Sequence, residues 1–313
     1  MSNHERTLTE LLERMSDDTP PASGKQTASF KAHRDAEKLG SPAYVAVAAA
    51  LLATEKRAER KRHLYFILGH LGASSSSAEV ETIVRPALTL EKNAYTLAAA
   101  LGALRRLPAL ADASDVRALL KSPVRQVREA AILALRGDRS GKGERDILAL
   151  LKRTQNRFEL AYALQTLGEI GSVKSIPAIA SFIHHRVVEV KCAAIAALSS
   201  IGGKAQQKVF LDALTDKNEH AKALALFALQ RHGDALAVPK VAARVIALLR
   251  KTRATEIAPS DLVAGLEFLA RHRQSTEARD AVEEAKRLPN TLFPAESRWI
   301  KEHLLEPPGK KHR

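Results

Sequence analysis

The sequence predicts an all-α fold, a right-handed solenoid of about seven stacked helical pairs. Three observations carry this expectation. Hydrophobic residues make up 45% of the chain but aromatics only 4%. The core must therefore be aliphatic, and its alanines and leucines lose little side-chain freedom in a helix. No β-branched or aromatic cluster alternates with period two, as a half-buried strand would. The second observation is a short apolar run ending in leucine that recurs along the chain. Its anchors are Leu68, Leu104, Leu135, Leu167, Leu198, Leu229 and Leu269, at steps of 36, 31, 32, 31, 31 and 40 residues. Third, each period holds two apolar helical stretches. A pair of short helices cannot bury its apolar faces alone, so it must stack on its neighbours.

Taken in order, residues 1–40 read as an extension. It holds a short amphipathic helix with Leu8, Leu11, Leu12 and Met15 on one face, then a flexible linker, Ser16 to Ser29, where Pro20-Pro21 forbids helix. Residues 41–274 are the solenoid. A polar loop is expected at Ala73 to Ala78 and a longer turn at Gly137 to Gly143. The period from 173 to 203 is the clearest: helices over Ile176–Ile183 and Val187–Ile201, with Pro177 in the first opening turn and Gly202-Gly203 as a left-handed cap. Ala131, Ala163, Ala194 and Ala225 each lie four residues before an anchor, where helices should approach closely. An insertion follows at Lys251 to Ser260. Residues 275–306 form a helical cap over Thr276–Leu288 and Ala295–Leu305, with Trp299 closing the core, and 307–313 are a disordered basic tail.

Composition narrows the function classes. The one cysteine, Cys192, can form neither an internal disulfide nor a thiolate metal site, and it falls in an apolar helical run. No run approaches the ~18 apolar residues of a membrane span, so a cytoplasmic protein without a membrane partner is expected. The formal net charge is +14, and the whole excess lies in 41–274, which holds 35 basic and 21 acidic residues. A basic body suits polyanionic or acidic partners and also aids solubility.

Val124-Arg125-x-x-Arg128-x-Ala130-Ala131-x-x-Ala134-Leu135, with Leu-x-x-Ile-Gly endings at 167–171 and 198–202, resembles HEAT repeats of the phycobilisome-lyase-like subclass. The resemblance covers roughly 41–274. It implies a solenoid whose second helices line a concave face. It does not imply one activity, because such repeats serve lyases, assembly factors, scaffolds and nucleic-acid enzymes, so function must be argued from a site.

Aligning the second helices on their anchors exposes a pattern of charge. Ten to twelve residues before the anchor stand Arg57, Lys92, Arg125, Arg157, Arg186 and Lys217; seven before it stand Lys61, Arg128, Lys191 and Lys222. Equivalent positions in stacked repeats share a surface, so these ten predict a basic ridge. Two roles are open: packing and solvation between repeats, or a cradle for phosphates or an acidic protein segment. Most repeat aromatics fall at core phase, which counts against the stacking platforms of single-strand binders and leaves duplex-backbone contact open.

No chemistry-bearing motif stands out. Neither HExxH, G-x-S-x-G, Walker nor G-x-G-x-x-G occurs. His184-His185 would point about 100° apart on a helix, and no metal or cofactor is expected. The nearest thing to the aromatic-flanked acid of HEAT-like DNA glycosylases is Glu159, beside Phe158 and near Tyr162, expected as an exposed helical residue. A bilin-lyase-like enzyme shares the repeat type. The expectation is therefore a non-catalytic scaffold, more a monomer than an obligate oligomer, binding a protein partner with an acidic segment; nucleic acid is the alternative.

Overall fold

The computed structural model describes residues 2–17, 19, 27–74, 76–256 and 259–305. All regular structure among them is helical. The chain forms two compact units, Met1–Ser172 and Val173–Arg313.

In the first unit, α1 (Asn3–Met15) and α2 (Ala28–Ala36) precede four helical pairs. These are α3 (Ala43–Thr54) with α4 (Ala58–Ser74), then α5 (Ser77–Val84) and the short α6 (Ala87–Leu90) with α7 (Ala94–Arg106). Next come α8 (Ser114–Ala118) with α9 (Arg125–Ala134), and α10 (Lys142–Arg153) with α11 (Arg157–Ile170). Second helices stack on one another: α4 on α7, α7 on α9, α9 on α11. The first helix of the extension is packed. Leu8, Leu11, Leu12 and Met15 are all buried, and α1 packs on α2, α3 and α4. Ser2 opens α1 as a capping box, its hydroxyl accepting from the Glu5 amide while the Glu5 carboxylate accepts from the Ser2 amide. The Pro20-Pro21 stretch of the linker and the basic tail lie outside the described residues.

The second unit repeats the scheme. α12 (Ile176–Ala180) pairs with α13 (Val188–Ile201), α14 (Gln207–Ala213) with α15 (Glu219–His232), and α16 (Val238–Arg250) with α17 (Asp261–Arg271). α13 stacks on α15 and α15 on α17. α18 (Thr276–Lys286) covers α16 and α17, and α19 (Pro294–Ile300) ends in a π-helical turn over Lys301–Leu305. Together the units hold seven helical pairs.

The anchor register explains the packing. All seven anchor leucines are buried. Four residues before them stand Ala100, Ala131, Ala163, Ala194 and Ala225, each fully inaccessible. In the last repeat this position is Gly265, where a Cβ would lie 2.5 Å from Val245 Cγ2. Ala or Gly thus fills this position in six repeats, and at Gly265 the neighbouring helix leaves no room for more; in the first repeat it is Leu64, also fully inaccessible. The predicted left-handed cap also forms, with Gly203 at φ +51° after α13.

Two local expectations are corrected. The loop expected at Ala73 to Ala78 is shorter: α4 runs through Ser74 and α5 begins at Ser77. Trp299 is only half-buried and stacks on His303, with centroids 4.7 Å apart; Ile300, one residue on, fills the core instead. Two described residues of the expected insertion, Arg253 and Ser260, meet one carboxylate. Arg253 pairs with buried Glu296 at 2.7 Å and Ser260 donates to the same carboxylate at 2.6 Å.

Candidate partner-binding site

Six of the seven second helices, α4, α7, α9, α11, α13 and α15, open from the same kind of turn. A side chain at one position accepts from the backbone amide two residues on. In the first unit these are Glu55 to Arg57 (2.9 Å), Glu91 to Asn93 (2.8 Å), Ser122 to Val124 (3.3 Å) and Thr154 to Asn156 (3.2 Å). In the second they are His185 to Val187 (3.1 Å) and Asp216 to Asn218 (2.8 Å). Asn93, Asn156 and Asn218 then cap α7, α11 and α15 by accepting from first-turn amides. The turn fixes where the basic residues go. Lys92, Arg186 and Lys217 occupy its middle, Arg57 follows it, and Arg125 and Arg157 are the first helical residues of α9 and α11. All six are exposed.

The four cations seven before the anchor behave differently. Lys61, Arg128, Lys191 and Lys222 are all half-buried and ion-paired. Three reach the turn that opens the next second helix: Lys61 pairs with Glu91 at 3.2 Å, Arg128 with Glu159 at 2.7 Å and Lys191 with Asp216 at 2.6 Å. Arg128 also donates to the carbonyls of Ser122 and Pro123. Burial alone would raise the Asp216 carboxyl; hydrogen bonds from Lys191 and the Asn218 amide outweigh it and hold the group below the usual carboxylate range. Lys222 joins a different group, pairing at 3.3 Å with Glu219, which also takes Arg244 at 2.9 Å. These four are rungs between and within repeats, so the ten-residue ridge divides into six solvent-facing cations and four paired ones.

Glu159 is corrected outright. It is 3% exposed, held by Arg128 and by the Thr154 hydroxyl at 2.7 Å. A carboxylate so bound fastens one repeat to the next and does not face solvent. The aromatics are corrected in part. Phe210, Phe268 and Tyr65 are buried as expected, but Tyr95 is 62% and Phe158 39% exposed. Both stand nine residues before an anchor, in the first turn of α7 and α11. Arg157 lies over the Phe158 ring at 4.7 Å and Arg125 of the preceding repeat approaches it at 6.0 Å. Nine residues are about two and a half turns, which sets both rings on the face opposite the anchor, and that shared register was the signal that they face outward.

In the first unit the exposed set is thus Arg57, Lys92, Arg125 and Arg157, with Tyr95 and Phe158 among them. Arg57 leans on Glu55 at 3.4 Å and Arg125 on Glu129 at 3.4 Å. Lys92 and Arg157 have no ion pair among the described residues. In the second unit Arg186 and Lys217 hold the corresponding turns. Among the described residues no group of three or more His, Cys, Asp or Glu could hold a metal ion, and no helix is long and apolar enough to cross a membrane. Cys192 is half-buried, which pushes its thiol pKa up and quiets it as a nucleophile.

Residues 144–230 match the family model for HEAT repeats. Among solved structures, the complex of CpcE and CpcF of phycocyanin lyase from Nostoc sp. PCC7120 is 20% identical, with 86% of this chain and 97% of that one covered at a TM-score of 0.51. An engineered protein matches at 18% identity over 96% and 87% of the two chains, TM-score 0.47. Human deoxyhypusine hydroxylase in complex with glycerol matches at 16% identity over 96% of each, TM-score 0.33. No curated protein matches the sequence. At such identities the likeness to the lyase complex speaks for the fold alone.

Proposed function

We propose that this HEAT-repeat solenoid is a non-catalytic scaffold that binds an acidic protein segment along the openings of the second helices of its first unit. The observation that supports this reading is the division of the basic residues. Cations needed between repeats are half-buried and paired, whereas Arg57, Lys92, Arg125 and Arg157 face solvent beside the exposed rings of Tyr95 and Phe158. Arginine and aromatic side chains together are what recognition surfaces favour, since they combine charge with large, stiff contact area. The one carboxylate flanked by aromatics is consumed by an ion pair, which removes the best catalytic candidate.

The Arg125–Phe158–Arg157 cluster also favours a second reading, in which exposed rings stack on bases and cations hold phosphates. One experiment separates the two. The full chain is titrated with a fluorescent poly-glutamate peptide and with single- and double-stranded oligonucleotides over a range of salt. Lys92→Glu/Arg125→Glu/Arg157→Glu is titrated alongside. Micromolar peptide binding that the variant loses supports the proposal. Preferred binding of an oligonucleotide overturns it in favour of the second reading, and equal peptide binding by the variant overturns the assigned surface.

A further inference from the structure

A separate feature of the first unit is a solvent-open cavity of about 530 Å³, formed where α2 meets α4 and α7. Its floor is small: Ala99, Gly102 and Ala103, and a Cβ built on Gly102 would meet nothing within 4 Å. Its walls are cationic, carrying Arg62 from α4, Arg105 and Arg106 from the last turn of α7, and Arg136 beyond α9. Arg136 pairs with Glu169 at 2.8 Å, but Arg62, Arg105 and Arg106 have no ion pair among the described residues. Arg62 and Arg105 are half-buried, and the other half-buried cations among the described residues find carboxylates. Desolvation, and then the like charge of Arg105, holds the Arg106 guanidinium below the usual arginine range. The charge of Glu37 offsets part of this, though Glu37 is also bound to Arg34 at 2.7 Å, and Glu59 lies 3.8 Å from His63.

We propose that this cavity binds the phosphate group of a small phosphate ester. A single carboxylate would leave most of the positive charge uncompensated, whereas a phosphate monoester brings close to two negative charges and three strong acceptor oxygens. Guanidinium forks match that geometry bidentately. The cavity volume falls within the range of small-molecule sites. Phe66 supplies an apolar wall for the rest of the ligand. It lies 5.3 Å from the Arg106 guanidinium and 5.0 Å from the His33 ring. The His63 ring stands in the wall, its buried Nε2 lying 3.8 Å from the Glu59 carboxylate. Burial, then the neighbouring His33, pushes the His63 pKa down, which favours the neutral ring. His33 comes from α2, so the N-terminal extension completes the site.

The site shares no residue with the exposed row of the proposed protein interface, and its test is independent of that reading. The full chain is titrated calorimetrically with inorganic pyrophosphate at low salt, with citrate as a polycarboxylate control. Gly102→Leu fills the cavity without changing charge. Arg62→Gln/Arg105→Gln removes two guanidiniums without filling it, and so carries the test should the first variant fold poorly. Wild type should bind pyrophosphate at least tenfold more tightly than citrate, and each variant should weaken pyrophosphate binding at least tenfold. No binding by wild type, citrate preferred over pyrophosphate, or undiminished binding by a folded cavity variant each overturns the proposal.

Discussion

The turns that open the second helices and the positions one helical turn further on carry the same kind of residue to opposite ends. Arg125 and Arg128 are three residues apart on α9. Arg125 is exposed and leans weakly on Glu129; Arg128 is half-buried and fastens Glu159 of the next repeat. The difference is burial. A cation at the edge of a stack must be paired, because leaving it desolvated and alone costs more than the pair returns. One turn earlier the helix has reached solvent, and a cation there is free for a partner. Charge counted along a sequence therefore overstates the binding surface, and the excess must be sorted by depth.

The largest expected effect tests the paired side. Arg128→Ala leaves the Glu159 carboxylate buried with only Thr154 to hold it, and should cost about 2–3 kcal/mol. Replacing both partners, Arg128→Met/Glu159→Leu, should recover most of that loss, because neither charge is then stranded. Denaturant midpoints of the three proteins check this. A double variant as unstable as the single one would mean that the pair is needed for more than mutual neutralisation.

A somewhat smaller effect tests the register on which the comparison rests. Ala194→Leu places three extra carbons at a fully inaccessible position four residues before an anchor, and overpacking there should cost about 1–3 kcal/mol. An unchanged urea midpoint would show that the repeats are misaligned, and with them the two rows of cations.

Most of the fold was legible in the sequence because stacking repeats its demands every 31 or 32 residues. Each anchor leucine, and in all repeats but the first the small residue four before it, meets an equivalent neighbour. The site was less legible for the reason the comparison gives. Arg128 and Arg125 are both polar positions in the repeat pattern, and spacing within a helix does not report how far the next repeat covers it. Glu159 looked exposed because charge usually is; its burial depends on Arg128, 31 residues away. Tyr95 and Phe158 looked like core because aromatics usually are, though their position nine residues before an anchor sets them on the opposite face of the helix. Arg105 and Arg136 share a register, each one residue after an anchor, but Arg62 lies six before one, so spacing alone did not join the cavity arginines. The folding of α2 against α4 brings His33 to them.

Acid sharpens the comparison in the second unit. Glu219 collects Arg244 and Lys222. Burial alone would raise its pKa, but the hydrogen bond and charge of Arg244, with help from Lys222, carry it from the ordinary 4.5 to about 2. A carboxyl depressed in the folded state stabilises above its unfolded pKa and loses that contribution as pH falls through the folded one. The stability of the chain should therefore decline between pH 4.5 and about 2. Glu219→Gln should be less stable than wild type at neutral pH and flatter through that window, as followed by circular dichroism at graded pH. An identical acid transition in both proteins would remove Glu219 from the paired class.

The smallest expected effect on stability belongs to the exposed side, and it is the most telling. Arg157→Ala removes a guanidinium lying 4.7 Å over the Phe158 ring on the surface. Exposed cation–π contacts contribute about 0.5–1 kcal/mol, and exposed substitutions typically shift stability within about 0.5 kcal/mol. The midpoint of Arg157→Ala should therefore lie within error of wild type or just below it. Its peptide affinity should fall severalfold, because the lost group would meet the partner where Phe158 supplies the apolar contact. Phe158→Ala should behave alike, with affinity falling and stability nearly constant. If either substitution instead costs as much stability as Arg128→Ala, the exposed row is structural too, and the distinction between the two rows fails at the residues where it was drawn most sharply.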